Sequence, residues 1–317
     1  MVFHKQVFLL KMDKMLYKIK SLLVFIFLFN IFCIYSQASD TLKRDSLKTW
    51  KLSSLYSLRG TQSSFVNWNS GGRNNISLIG SIVASAKYNK EKWNWSSDLA
   101  LAFGGIKYLD DANGVNLQKT DDKIDLSSIV GMRITKKFLI SINAGFKTQF
   151  ADGFTYPNDS IAVSKFMAPG YFNLALGTDY IRDKHFSVFG SPFSAKTTFV
   201  FDDSLSQLGA FGVEKGQNIR HEFGPFIKIK WDTPIMKNIE MKSKLELFSN
   251  YLNKPQNIDV NAELTFIFRV NSLFSATAQW NLVYDDDIKI RDKDGNVGPR
   301  TQFKSVLGIG ISYKLKN

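Results

Sequence analysis

The chain has 317 residues, a formal net charge of +13, a single cysteine and 27 Phe within an aromatic content of 14%. One cysteine excludes an internal disulfide framework, and a mean hydropathy of −0.13 excludes a bundle of membrane-spanning helices. The basic residues form no Lys/Arg block and alternate with acidic ones, which argues against a nucleic-acid partner.

The N-terminus carries Lys11, Lys14, Lys18 and Lys20, an apolar run from Leu22 to Tyr35, and then small residues at Ser36 and Ala38. That order of basic, apolar and small segments predicts a secretory signal peptide over residues 1–38. The apolar run is 14 residues long, short of the ~20 that a spanning helix needs. Either Met12 or Met15 is an alternative start. Cleavage near Ala38 removes Cys33, so the exported chain has no thiol chemistry. Residues 1–38 hold five lysines and one aspartate, which leaves 36 basic and 27 acidic residues and a net charge of +9. Residues 39–50 read as a short periplasmic segment, and residues 51–317 as one barrel domain.

From Lys51 onward the sequence alternates with period two, the signature of strands with one apolar and one polar face. Leu52, Ser54, Tyr56 and Leu58 open the series, and Ile76, Leu78, Ile82, Ala84, Ala86 and Tyr88 follow. Leu99, Leu101 and Phe103 alternate with Asp98, Ala100 and Ala102. The fourth and fifth strands carry Ile124, Leu126, Val130 and Met132, then Phe138, Ile140, Ile142 and Phe146. Phe172, Leu174, Leu176 and Tyr180 make a sixth, and Phe186 to Phe201, interrupted by Pro192, a seventh. In the last third, Ile227, Ile229 and Trp231 oppose Lys228 and Lys230. Two further strands run through Met241 to Tyr251 and Ile258 to Phe268, and Phe274 to Tyr284 makes the eleventh. The twelfth sets Ile309, Ile311, Tyr313 and Leu315 against Gly308, Gly310, Ser312 and Lys314.

The connections alternate in length. Asn89-Lys90-Glu91, Lys136-Lys137, Arg182-Asp183-Lys184 and Asn271-Ser272 are tight, whereas residues 61–75, 108–121, 151–170, 205–218 and 285–301 are long. Asn253-Lys254-Pro255-Gln256 breaks the rhythm as a short link on the long-loop side. Short periplasmic turns, long outer loops and an even strand number predict an all-β fold, an antiparallel transmembrane outer-membrane β-barrel of about 12 strands. A soluble sandwich or lipocalin-like barrel is the alternative.

Charges gather on the polar, lumen-facing side. Glu240, Lys242, Lys244 and Glu246 point one way on one strand, and Asp259, Glu263 and Arg269 do so on its neighbour. They either fill a narrow lumen with ion pairs or line an aqueous channel. Twelve strands lie between barrels filled by side chains and open porins, so strand number does not decide.

Three local patterns raise other chemistry. Asp285-Asp286-Asp287 and the spacing Asp292, Asp294, Asn296 resemble the start of a calcium loop, but Phe303 stands where a bidentate Glu is needed, and Asp294-Gly295-Asn296 is also an ordinary turn. His185 and His221 are the histidines past the signal; neither lies in a recognisable nucleophile motif, so the sequence nominates no catalytic residue and no cofactor. Trp68, Gly71 and Gly72 mark a tight outer loop, with folding into the lumen as a plug or gate as the sharper reading.

Several marks taken together resemble a family of uncharacterised outer-membrane β-barrel proteins carrying a domain of unknown function, over about residues 50–317. They are Asn67-Trp68 with Gly71-Gly72, Asp121-Asp122-Lys123-Ile124-Asp125, Thr148-Gln149-Phe150 and Pro169-Gly170-Tyr171. Ser191-Pro192 with Lys196, Leu247-Phe248-Ser249-Asn250-Tyr251, and Tyr284-Asp285-Asp286-Asp287 complete the set. Members usually end on an aromatic residue, whereas this chain ends Leu315-Lys316-Asn317. The resemblance implies an outer-membrane location and no assigned activity. The expectation is a non-catalytic passive channel or surface-loop scaffold in the outer membrane of a Gram-negative bacterium. A plugged docking barrel and a membrane-embedded hydrolase are the alternatives. Expected partners are outer-membrane lipid, the barrel-insertion machinery, and a small solute or protein at the outer loops.

Overall fold

A computed structural model describes residues 50–64, 73–109, 117–291 and 296–316. The signal segment, Trp68, Gly71, Gly72, Asp292 and Asp294 lie outside the described residues.

Twelve long antiparallel strands close into a barrel in simple chain order. They are β1 (Trp50–Ser63), β2 (Asn75–Lys90), β3 (Trp93–Tyr108), β4 (Gln118–Arg133), β5 (Phe138–Thr148), β8 (Gly170–Ile181), β9 (Phe186–Phe199), β10 (Ile219–Met236), β11 (Ile239–Phe248), β12 (Asp259–Arg269), β13 (Phe274–Tyr284) and β16 (Gln302–Lys316). The last strand pairs back onto the first, with Leu58 opposite Ile311 and Tyr56 opposite Tyr313, so no edge is left open. Two small hairpins, β6 (Gly153–Phe154) with β7 (Ala162–Ser164) and β14 (Lys289–Arg291) with β15 (Val297–Pro299), sit within long loops. All twelve strands read from the sequence are present.

Alternation assigns the two faces. Ile140, Ile142, Leu174 and Leu176 point outward and are exposed, whereas the intervening Leu139, Ser141, Asn143 and Ala175 are buried inside. The exterior is therefore the apolar surface and the interior the mixed polar one, the inverse of a soluble barrel. Aromatic rings crowd the end that carries the tight turns: Trp50 lies 5.1 Å from Tyr88 and 5.3 Å from Trp95, ring centre to ring centre. The Trp95 indole N–H, on the outer surface, donates to Ser128 Oγ at 2.9 Å.

Two departures from the sequence reading have local causes. Pro192 does not break β9, because it occupies a bulge: Leu176 pairs with Phe193, but Thr178 pairs with Gly190. A bulged residue owes the ladder no N–H, which is where a strand accommodates proline. Ser191 Oγ accepts from the Phe193 N–H at 3.1 Å within the bulge. The second departure corrects the short link expected at Asn253–Gln256. Strand β11 stops at Phe248 and β12 starts at Asp259, so residues 249–258 form a ten-residue loop. Asn250 turns its side chain onto the Leu252 N–H at 3.0 Å and ends the strand. The rhythm of long loops and tight turns then holds around the whole ring.

The loops between β5 and β8 and between β9 and β10 pack into a small cap at the long-loop end. Ala168, Val200, Leu205 and Val213 form its apolar centre. A short helix, α1 (Asp203–Gln207), starts on Asp202, whose carboxylate accepts from the Leu205 N–H at 3.0 Å.

Candidate functional site

The interior is the site, and period-two alternation builds it by directing every second residue of each strand inward. Its middle layer joins opposite walls. Lys123 on β4 lies 2.9 Å from Glu263 on β12, strands that stand six places apart in the twelve-strand ring. Lys244 on β11 bridges Asp125 at 3.0 Å and Glu263 at 2.9 Å. Lys147 pairs with Glu246, and Lys228 donates to Ser127 Oγ at 2.6 Å from yet another wall. Lys228 and Asp125 are 3% and 7% exposed.

Further pairs stack above and below. Towards the tight turns, Lys230 meets Asp98 at 2.8 Å and Arg269 meets Glu240 at 2.5 Å. Towards the long loops, Lys196 gathers Asp259 at 2.7 Å, Asp285 at 3.1 Å and Glu222 at 3.5 Å. Arg220 holds Glu222 at 3.0 Å and Asp287, and Lys304 meets Asp121 at 2.6 Å. Between these layers Ala175, Phe189, Phe226 and Phe248 form an apolar cluster inside the barrel. Charged layers and this apolar cluster thus alternate along the interior.

A cavity of about 370 Å³ remains on the long-loop side of the middle layer. Its walls include Asn143, Asn173, Gln149, Tyr171, Phe226 and Phe248, and its loop side is bounded by Pro169 and Ile288. The side-chain oxygens of Asn143 and Asn173 and the amide nitrogen of Gln149 are buried without a hydrogen-bond partner.

All seven charges singled out from the sequence share the interior face. Lys244, Glu246, Asp259 and Glu263 fall in or next to the cross-wall layer, whereas Glu240, Lys242 and Arg269 lie at the tight-turn mouth, with Lys242 3.8 Å from Glu240. The sequence reading does not single out their partners on other strands, Lys123, Asp125 and Lys147 across the ring and Lys196 and Lys228 nearer by. Each carried the signal, an ionisable residue on the polar phase of a strand. The three aspartates at the end of β13 do not converge: Asp285 faces Lys196, Asp287 faces Arg220, and Asp286 accepts from Asn257 Nδ2 at 2.6 Å. Among the described residues no group of three or more His, Cys, Asp or Glu is arranged to hold a metal ion. His185 sits in the turn after β8, its Nδ1 2.6 Å from the Asp232 carbonyl. His221 lies 3.0 Å from Thr197 Oγ1, while its neighbour Glu222 points to the other face. Neither histidine has a nucleophile and an orienting carboxylate beside it.

Outside the strands, the cap is held by Lys165 and Asp202, 2.5 Å apart. The Lys165 hydrogen bond, helped by Ser204, lowers the Asp202 carboxyl to about 2 and correspondingly raises Lys165. In the turn after β8, backbone N–H donation from His185 and the Arg182 side chain lower Asp183.

No curated protein matches the chain. Among solved structures it is similar to the COG4313 outer membrane channel from Pseudomonas putida F1, at 11% identity over 84% of this chain and 96% of that one, with a TM-score of 0.37. It is also similar to the translocator domain of the autotransporter NalP from Neisseria meningitidis, at 10% identity over 83% and 87% with a TM-score of 0.32. For the NanC porin the values are 8% identity, 82% and 100%, and 0.36. At these scores the likeness bears on no functional point. Residues 61–154, from the end of β1 to β6, match the model of a family described as a protein of unknown function (DUF3078).

Proposed function

We propose that the protein is a non-catalytic β-barrel of the Gram-negative outer membrane whose lumen is closed to free diffusion by cross-wall ion pairs, with a chamber left on the long-loop side. The membrane location rests on the exposed apolar exterior, the aromatic band and the alternation of tight turns with long loops. The signal-like N-terminus supplies the export route, and lipid and the barrel-insertion machinery are its first partners. On this reading the long loops, two of them packed into a cap, face the cell surface, and a small solute or a protein is the expected partner there.

The observation that carries the closed lumen is the Lys123–Glu263 bridge between opposite walls, reinforced by Lys244 and Asp125. An open channel keeps its selectivity charges hydrated along a continuous path, whereas here they meet each other. Liposomes loaded with an impermeant dextran and diluted into an isotonic small neutral sugar test the reading. Liposomes carrying the folded barrel should swell no faster than protein-free ones, and swelling graded by solute size would overturn it.

A further inference from the structure

We propose that the long-loop chamber is a binding site for a neutral, polyhydroxylated molecule of the size of one or two sugar rings. The inference rests on the closed-barrel reading for its setting, but its evidence is the chemistry of the chamber wall.

Size comes first. At about 370 Å³ the chamber lies at the lower end of small-molecule sites, which run from roughly 300 to 1,000 Å³. It suits a compact ligand and excludes a folded peptide.

Polarity comes next. Asn143 is 2% exposed, and its side-chain oxygen has no hydrogen-bond partner. The Asn173 oxygen and the Gln149 amide nitrogen are buried and unpartnered on the same wall. A buried polar atom left unpaired costs about 1–3 kcal/mol, so such atoms are rare unless something meets them. Two acceptors and one donor call for a ligand that offers both roles. A hydroxyl group donates once and accepts twice, and it satisfies a side-chain amide whichever way that amide is turned.

Charge narrows the class. Lys147, Lys196 and Lys228 line the chamber, and each is already held by a carboxylate or hydroxyl. Against these three stand five carboxylates, Asp122, Asp125, Glu246, Asp259 and Asp285. Those carboxylates are themselves paired, Asp122 with Lys119, Asp125 with Lys244, Glu246 with Lys147, and Asp259 and Asp285 with Lys196. No lysine of the wall is therefore left to receive a sugar acid, and a neutral polyol needs none. Tyr171, Phe226 and Phe248 supply the apolar side against which the C–H face of a sugar ring can lie.

Isothermal titration of the full-length folded barrel in detergent tests the assignment. The probes are glucose, galactose, N-acetylglucosamine and maltose, with glucuronate as the acidic control. At least one neutral sugar should bind saturably at one site per barrel, and glucuronate at least ~10-fold more weakly. Asn143→Leu and, independently, Gln149→Met should each weaken binding by ~10-fold or more. The second variant keeps the test valid if the first fails to fold. If no neutral sugar saturates the folded wild-type barrel, the chamber holds only water and the proposal fails. Stronger binding of glucuronate, or binding indifferent to both substitutions, also overturns it. The outcome is separable from that of the closed lumen: liposome swelling with intact sugar binding sinks the closure alone, and no swelling with no binding sinks the ligand alone.

Discussion

Lys123 and Glu263 stand on strands six places apart in a twelve-strand ring, and their side chains meet at 2.9 Å across its interior. Each is also tied to the Asp125–Lys244 pair, with Lys123 3.4 Å from Asp125 and Lys244 2.9 Å from Glu263. Four alternating charges therefore form a closed quartet. Breaking one partner of a largely desolvated set leaves the others uncompensated, which costs more than the pair itself contributes. A double-mutant cycle of Lys123→Met and Glu263→Gln, followed by urea unfolding of the barrel in vesicles, should show coupling of about 1 kcal/mol or more. Additive effects would mean that the two residues do not interact.

The assignment of inside and outside makes a sharper demand. Ile142 points outward at 52% exposure, midway along β5. An arginine on the lipid face near the midplane costs about 2–4 kcal/mol. Ile142→Arg should cost that much in a bilayer, and a negligible effect would place Ile142 in water.

Backbone crowding at the β9 bulge predicts a contrast between two glycines on neighbouring strands. A Cβ at Gly177 would run into the carbonyl of Gly190, whereas at Gly145 the nearest atoms lie 4.0 Å away. Gly177→Ala should destabilise the barrel by about 1–3 kcal/mol, and Gly145→Ala should be neutral or slightly stabilising. Equal effects would show that the bulge does not bring the strands this close.

The cap has a defined acid limit. Asp202 titrates lower in the folded cap than its ordinary 3.8, at about 2, chiefly because Lys165 donates to it. The unfolded loop therefore takes up a proton first as pH falls. The stabilisation is complete above about pH 4 and disappears between there and about pH 2. Hydrogen-exchange protection of residues 203–207, corrected for intrinsic rates, should fall across that window. In Asp202→Asn it should be low already and flat with pH; an unchanged profile would remove Asp202 from the cap.

The strands were legible because their signal is local. One residue in two declares its face, and Leu174, Leu176, Lys242 and Lys244 did so without any knowledge of the closure. Pro192 looked like an interruption because a bulge is visible only once both neighbouring registers are known. Tyr251 continued the apolar phase of β11, so the strand was read three residues past Phe248, where Asn250 ends it. The partners inside the barrel were not legible at all. Whether Lys123 reaches Glu263 or points into water depends on ring closure and strand stagger, and no single strand encodes either. The chamber amides were hidden for the same reason, since Asn143, Asn173 and Gln149 share a wall only after β5 and β8 pair.

The closed lumen is tested most directly by planar-bilayer recording of the folded barrel beside a variant carrying Lys123→Ala, Asp125→Ala, Lys244→Ala and Glu263→Ala. The wild type should insert without discrete open steps, and the variant should show stepwise conductance that scales with salt. Long-lived steps of the same size in both proteins would contradict the account, because the path for ions would then bypass the quartet.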